Sequence, residues 1–330
     1  MADDQNRRFE QVRLDARTIE SLLMPAAERL GGGKVASVEL IDSGLTNTNY
    51  RVQLADNPKA LVLKIYMRQP ETCRKEYELF KLVHQTVPVA TIYYADFQGE
   101  KYARPYSIFE WMPGVLLEEL LSAVNTTEMQ AVGRAVGETL AGIGKYQFEQ
   151  AGFFGPDLKF AAPQVEQAGE EQGWRAYLES CLENPICAER LDKTLKTRLT
   201  QFIRTNAHQV EALGEQKALV HADFNPSNIL MVQTETGWRV SAVLDWEWAH
   251  SGTPLFDIGN LFRDRGYSLT NFETGFVEGY RRAGGELPEN WKQVSRLLDL
   301  INLCEFLTVP NQSDTRVSLI RQQINVTIEG

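Results

Sequence analysis

Cysteine is scarce in this 330-residue chain and carries no pattern. Cys73, Cys181, Cys187 and Cys304 form no CxxC pair and join no histidine at zinc-ligand spacing, which argues against a thiolate metal site. Long apolar runs are missing too. None approaches the roughly 20 residues needed to span a bilayer, and the opening MADDQNRRFEQ lacks the apolar core of a signal peptide. These absences predict an intracellular, reducing compartment, the cytoplasm, where the sequons at Asn125, Asn311 and Asn325 carry no weight. Positive charge is also short: 34 Lys and Arg stand against 44 Asp and Glu, for a net charge of −10. No basic excess is available for nucleic acid or an anionic membrane. The balance suits a cationic partner, although acidity also serves solubility alone. Internal repeats and low-complexity tracts are absent. What remains is an ordinary globular composition, 43% hydrophobic and 24% charged, long enough for one large domain or two lobes.

One apparent motif fails. LGGGKVAS resembles a Walker loop, but Val35 stands where Ser or Thr is required and Glu28 where the first glycine should be. Gly31 to Gly33 therefore read as the stop of a leading helix over 15–30, with Asp15 as its N-cap. Strand-like runs follow at 35–41, 49–54 and 60–66, then a helical stretch at 71–85, then strands near 91–97 and 102–111. Five strands with one helix after the third predict a compact α+β lobe. WMPG at 111–114 reads as a hinge. Beyond it the periodicity is helical, with long stretches at 126–149 and 188–213 and a looser acidic segment at 165–174. Beta structure is expected to return only at 217–244, before a helical remainder broken at 281–290.

Within that second beta region, LVHADFNPSNIL at 219–230 places His221, Asp223 and Asn228 between two apolar runs. Taken alone it also reads as a loop of common turn formers. Its context adds weight. Ile229–Val232 and Val240–Leu244 flank a turn segment containing Gly237, so a hairpin would carry Asp245 back beside Asn228. Asp223, Asn228 and Asp245 then converge as hard oxygen ligands of the kind Mg²⁺ takes alongside substrate phosphates. In the first lobe, Lys64 interrupts the apolar strand LVLKIY, where it could simply snorkel at an edge. Glu76, however, shares a helix face with Leu79, Phe80 and Val83. A carboxylate facing a core needs a partner, and Lys64 is the nearest candidate.

These motifs together resemble the aminoglycoside phosphotransferase and choline kinase family. HADFNPSN matches the kinase catalytic-loop pattern H-x-D-x-x-x-x-N, and LDWEW stands in the place of D-F-G. SGLTNTNYRV at 43–52 and PLFDIGNLFR at 254–263 complete the series, and the resemblance covers roughly 35–315. It implies a two-lobed protein-kinase-like fold of α+β class. The expected N-lobe, 1–112, is a small five-stranded antiparallel sheet with one main helix, and the C-lobe, 113–330, is larger and mostly helical. Departures from protein kinases are informative. There is no G-x-G-x-x-G, Asn225 replaces the catalytic-loop lysine, and no A-P-E follows, so a peptide-docking platform is missing.

The resemblance also implies roles. Asp223 would orient the acceptor hydroxyl and take its proton. Asn228 and Asp245 would hold Mg²⁺, and Lys64, steered by Glu76, would contact the ATP phosphates. Backbone around Glu110 to Met112 would meet the adenine edge, and Ser43, Gly44 and Asn47 would belong to a phosphate flap. His221 is expected to be structural, Asp257 to order the catalytic loop or cap a helix, and Trp246 and Trp248 to pack in the core. Candidate acceptor carboxylates are Glu166, Glu170, Glu171, Glu247 and Glu305. As a group they favour a cationic or amine-bearing alcohol such as an aminoglycoside or choline. Homoserine, neutral sugars, transfer of AMP instead of phosphate, and a silent nucleotide-binding regulator stay open. No nucleic-acid, membrane or peptide partner is expected, and the protein is read as a monomer or homodimer.

Overall fold

A computed structural model describes residues 12–30, 32, 34–41, 47–55, 57–160, 173–263 and 270–329. The leading helix α1 (Ala16–Arg29) starts where Asp15 Oδ1 accepts the Thr18 N–H at 2.8 Å. Past its end Gly32 takes φ +90°, a left-handed conformation suited to glycine. Strands β1 (Val35–Ile41), β2 (Thr48–Leu54), β3 (Ala60–Ile65), β4 (Ile92–Asp96) and β5 (Tyr106–Glu110) form one antiparallel sheet in the order β1-β2-β3-β5-β4. Strand alternation divides its two faces. Leu61, Leu63 and Ile65 of β3 join Ile19, Leu22 and Leu23 of α1 in one core, whereas Val62 packs against the other core, beside α2 (Thr72–Val83). Lys64 shares the Val62 parity and so faces α2. The strand expected at 102–111 begins only at Tyr106. Before it the Asp96 carboxylate accepts the N–H groups of Gln98, Gly99, Glu100 and Lys101 and wraps the chain into a turn.

The 111–114 segment joins the lobes and is pinned at both sides. Pro113 C=O accepts the Ser241 hydroxyl at 2.6 Å. A Cβ on Gly114 would sit 2.6 Å from the Met231 carbonyl oxygen, so the backbones touch there. Strand β6 (Val115–Leu116) leads into α3 (Leu117–Ala123) and α4 (Thr126–Gly144), which ends five residues before the expected 149. After β7 (Gly152–Phe153), helices α5 (Trp174–Glu183), α6 (Pro185–Arg190) and α7 (Lys193–Glu211) follow. The helix expected at 188–213 is thus two helices, because Asp192 caps a fresh start by accepting the Leu195 N–H at 2.8 Å.

Strand β8 (Ala218–Val220) enters the 221–228 loop, and β9 (Ile229–Thr234) and β10 (Gly237–Val243) leave it as a hairpin with a bulge between Val240 and Ala242. Strand β11 (His250–Gly252) pairs with β7 and β8, and β6 pairs with β9. Beta structure in this lobe is therefore wider than the 217–244 region. Helices α8 (Leu255–Phe262), α9 (Thr270–Arg282), α10 (Trp291–Thr308) and α11 (Asp314–Glu329) complete the lobe. Ile320 and Ile324 of α11 bury into the main core, so the C-terminal segment covers it. Helices α4 and α9 approach backbone to backbone: a Cβ on Gly133, Gly137, Gly275 or Gly279 would lie within 2.2 Å of a carbonyl oxygen on the facing helix.

Candidate active site

Lys64 reaches across the face that β3 presents to α2. Its Nζ lies 3.0 Å from both carboxylate oxygens of Glu76 and 2.9 Å from Asp245 Oδ1. Glu76, 1% exposed, also accepts the Tyr66 hydroxyl at 2.6 Å and the Trp246 backbone N–H at 2.9 Å. The carboxylate is thus fully paired, as burial demands. Burial opposes the charge on Lys64, yet Asp245, Glu76 and Glu247 outweigh it and hold the ammonium protonated. The same ammonium holds the Asp245 carboxyl below its ordinary value.

The 221–228 loop is held by α8. Asp257 accepts the His221 N–H at 2.8 Å and the Ala222 N–H at 2.7 Å, and Asn260 Nδ2 donates to the Ala222 carbonyl at 3.0 Å. These bonds fix Ala222 at φ +69°, a left-handed conformation that alanine rarely adopts. Burial pushes the Asp257 carboxyl up to about 7, against the pull of those two N–H groups. His221 Nε2 donates to the Leu244 carbonyl, which assigns the neutral tautomer, and Nδ1 then accepts the Asp223 N–H. Both ring nitrogens are used, and burial lowers the imidazole to about 4. His221 is structural, as expected.

Asp223 is oriented by two amides. Asn225 Nδ2 donates to its Oδ1 and Asn228 Nδ2 to its Oδ2, each at 2.7 Å. Burial and the nearby Asp245 raise its carboxyl, while Asn225, Arg263 and Asn228 pull the other way. The Leu244 N–H donates to the Asn228 carbonyl at 2.8 Å, so the hairpin carries Asp245 beside Asn228. Asp245 itself takes φ +55°.

Among the described residues no cluster of three or more His, Cys, Asp or Glu could hold a metal by itself. Asn228 turns its amide nitrogen onto Asp223 and keeps Oδ1 as an acceptor, and the Asp245 side chain is 47% exposed with only Oδ1 on Lys64. The two side chains offer hard oxygens of the kind Mg²⁺ takes, a cation that keeps waters and completes its shell with substrate phosphates.

Not every expected residue lies here. Ser43 and Gly44, with Glu166, Glu170 and Glu171, fall outside the described residues. The Glu110 carboxylate turns outward to Lys59 and Thr91, each at 2.9 Å, and its backbone N–H donates to the Thr91 carbonyl at 2.8 Å. Met112 packs against the main core. Glu305 sits beside Tyr177, and Glu247 is buried on Asn47 Nδ2 at 2.9 Å, with burial pushing it up to about 7. Trp246 is fully buried, but Trp248 is 42% exposed and does not join the core. Sequence reading missed the Asn47–Glu247 bond and the pair between Arg263 and Asp299, joined by Asn302 and by Asn260, which also donates to the Ala222 carbonyl. For Asn260 a signal existed: it stands three residues after Asp257 on one helix, hence on the same face.

Residues 37–297 match the phosphotransferase enzyme family. The chain belongs to that family. It is 29% identical over 159 residues to hygromycin-B 4-O-kinase of Escherichia coli, a match covering 48% of this chain and 42% of that protein. It is 25% identical over 239 residues to acyl-CoA dehydrogenase family member 10 of Mus musculus, covering 69% of this chain and 20% of that protein. The chain therefore spans less than half the length of each of these two relatives. Among solved structures it resembles aminoglycoside phosphotransferase APH(4)-Ia, with a TM-score of 0.67 at 20% identity over 96% of this chain and 99% of the other. A thermostable mutant of that enzyme was solved as a ternary complex with AMP-PNP and hygromycin B. Choline kinase LicA from Streptococcus pneumoniae gives a TM-score of 0.65 at 15% identity, over 95% and 100% of the two chains. These likenesses place the two-lobed kinase-like fold. Among the described residues, no helix is long and apolar enough to cross a membrane.

Proposed function

We propose that this protein is an ATP- and Mg²⁺-dependent phosphotransferase acting on a hydroxyl of a small, amine-bearing molecule in the cytoplasm. The observation that carries the reading is the convergence of Asp223, Asn228 and Asp245 of one lobe with the Lys64–Glu76 pair of the other. The two lobes divide at 112/113 in this reading. Phosphoryl transfer has a loose transition state, so the protein mainly positions reactants and stabilises charge.

Asp223, held in one rotamer by Asn225 and Asn228, orients the acceptor hydroxyl and takes its proton as that oxygen bonds the γ-phosphorus. The bond from the γ-phosphorus to the β-bridging oxygen breaks and ADP leaves. Lys64, protonated and steered by Glu76, contacts the α- and β-phosphates. Main chain around Glu110 to Met112 meets the adenine edge, and Ser43, Gly44 and Asn47 belong to the phosphate flap. Asn228 and Asp245 hold Mg²⁺, which when bound neutralises phosphate charge.

The amine-bearing acceptor class draws support from the net charge of −10 and from relatives named as kinases of hygromycin B and choline. Of the carboxylates considered, Glu247 is turned away onto Asn47, which leaves Glu305 as the candidate among the described residues. The test is ADP release from Mg-ATP against aminoglycosides, choline, ethanolamine, homoserine and neutral sugars, with Asp223→Ala as control and mass analysis of the product. Acceptor-stimulated, Asp223-dependent gain of phosphate supports the reading. Gain of AMP, or nucleotide binding with no transfer to any acceptor, counts against it.

A further inference from the structure

Two bonds run side by side between the lobes. Lys64 meets Asp245 at 2.9 Å, and Asn47 Nδ2 meets Glu247 Oε2 at 2.9 Å, with Asn47 and Glu247 each 7% exposed. The partners are matched in position. Asn47 directly precedes β2, and two residues later Asn49 stands opposite Lys64 in the β2–β3 register. Asn47 Oδ1 also accepts the Met67 N–H at 3.2 Å, three residues beyond Lys64 and just past the end of β3. One amide therefore ties the start of β2 to the chain leaving β3, one end of the pair that carries Lys64. On the other side Asp245, at φ +55°, and Glu247, in the turn that follows, each bond an N-lobe side chain, while Trp246 between them is buried.

We infer that Glu247 is a positioning residue: by holding Asn47 it fixes the strands around Lys64 over the C-lobe and so sets Lys64 against Asp245. The inference rests on the phosphotransfer reading above for its consequence, but not for its geometry. Glu76 already holds the Lys64 ammonium within the N-lobe, but Asp245 alone ties it to the C-lobe, and one such tie leaves the two segments free to shift against each other. A second, buried hydrogen bond between the same segments removes that freedom before nucleotide arrives.

The test uses the full chain with N47A, E247A, E247Q and the N47A/E247A double variant. Amide exchange at Met67, read without ligand, reports the Asn47 tie itself. E247A and N47A should each speed it by about tenfold, and E247Q, which keeps an acceptor oxygen, by less. Unchanged Met67 protection in E247A overturns the inference. Mg-ATP affinity by calorimetry and ADP release report the consequence. Each alanine variant should lose on the order of 10- to 100-fold in catalytic efficiency, the double variant no more than the worse single, and E247Q should recover most of the loss. If N47A behaves as wild type while E247A and E247Q are both silent, Glu247 acts directly on metal or substrate and the inference fails. If the wild type binds no nucleotide, the phosphotransfer reading fails by itself, and Met67 exchange still decides the Asn47 tie.

Discussion

Lys64 of the sheet and Asp245 of the opposite lobe stand 2.9 Å apart, and Glu76 holds the same ammonium from the other side. One cation thus serves two carboxylates, and its removal leaves Glu76 buried beside only neutral donors. Lys64→Met should therefore cost stability as well as nucleotide affinity, about 3 kcal/mol for an uncompensated buried charge. Adding Glu76→Gln to that variant should recover part of the loss, because the stranded charge is gone. Thermal melts of the two variants check it: a double variant no more stable than Lys64→Met contradicts the charge argument.

The Asp223 carboxylate is held by two amides, Asn225 on one oxygen and Asn228 on the other. Asp223→Ala should lower turnover by about 10²- to 10⁴-fold, the range for a lost general base, with ATP affinity nearly intact. Single-turnover kinetics alongside calorimetry separate the two effects. Near-normal turnover would remove Asp223 from the proton-transfer role.

His221 gives a pH prediction with a defined sign. Its folded value of about 4 lies below the ordinary 6.5, so between these limits the folded protein binds fewer protons than the unfolded chain. The stability this site contributes is present above about pH 6.5 and is lost as pH falls toward 4. The stability difference between wild type and His221→Gln should shrink across that window by up to ~3 kcal/mol. Urea unfolding of both proteins at pH 7.5 and 4.5 measures it, and a pH-independent difference would contradict the neutral-histidine assignment.

Two glycines of α4 make an internal contrast. A Cβ at Gly137 would lie 2.2 Å from the Phe276 carbonyl oxygen, whereas at Gly142 the nearest atom would be 3.8 Å away. Gly137→Ala should destabilise by about 2 kcal/mol or more through overpacking. Gly142→Ala should stabilise by about 0.5–1 kcal/mol through helix propensity. Denaturant midpoints of the two variants should move in opposite directions.

Much of the site was legible because its determinants are local. Strand parity aims Lys64 at α2, helical spacing aims Glu76 at the core, and a short hairpin returns Asp245 to Asn228. These follow from backbone periods of 2 and 3.6 acting over a few residues. Helix ends were less legible, because a single capping side chain such as Asp192 outweighs a continuous periodic pattern. The turn that shortens β5 likewise hangs on one carboxylate, Asp96.

By itself, then, the sequence determined the order of elements, the two-lobed architecture and the local placement of Lys64, Glu76, Asn228 and Asp245. Only the tertiary structure decided the partners of the remaining buried polar groups. Asn47 meets Glu247 across 200 residues and Arg263 meets Asp299 across 36. The reason is energetic: a buried polar group must be paired, but desolvation requires a partner without naming it. Which donor or acceptor arrives is settled by how whole helices and strands pack.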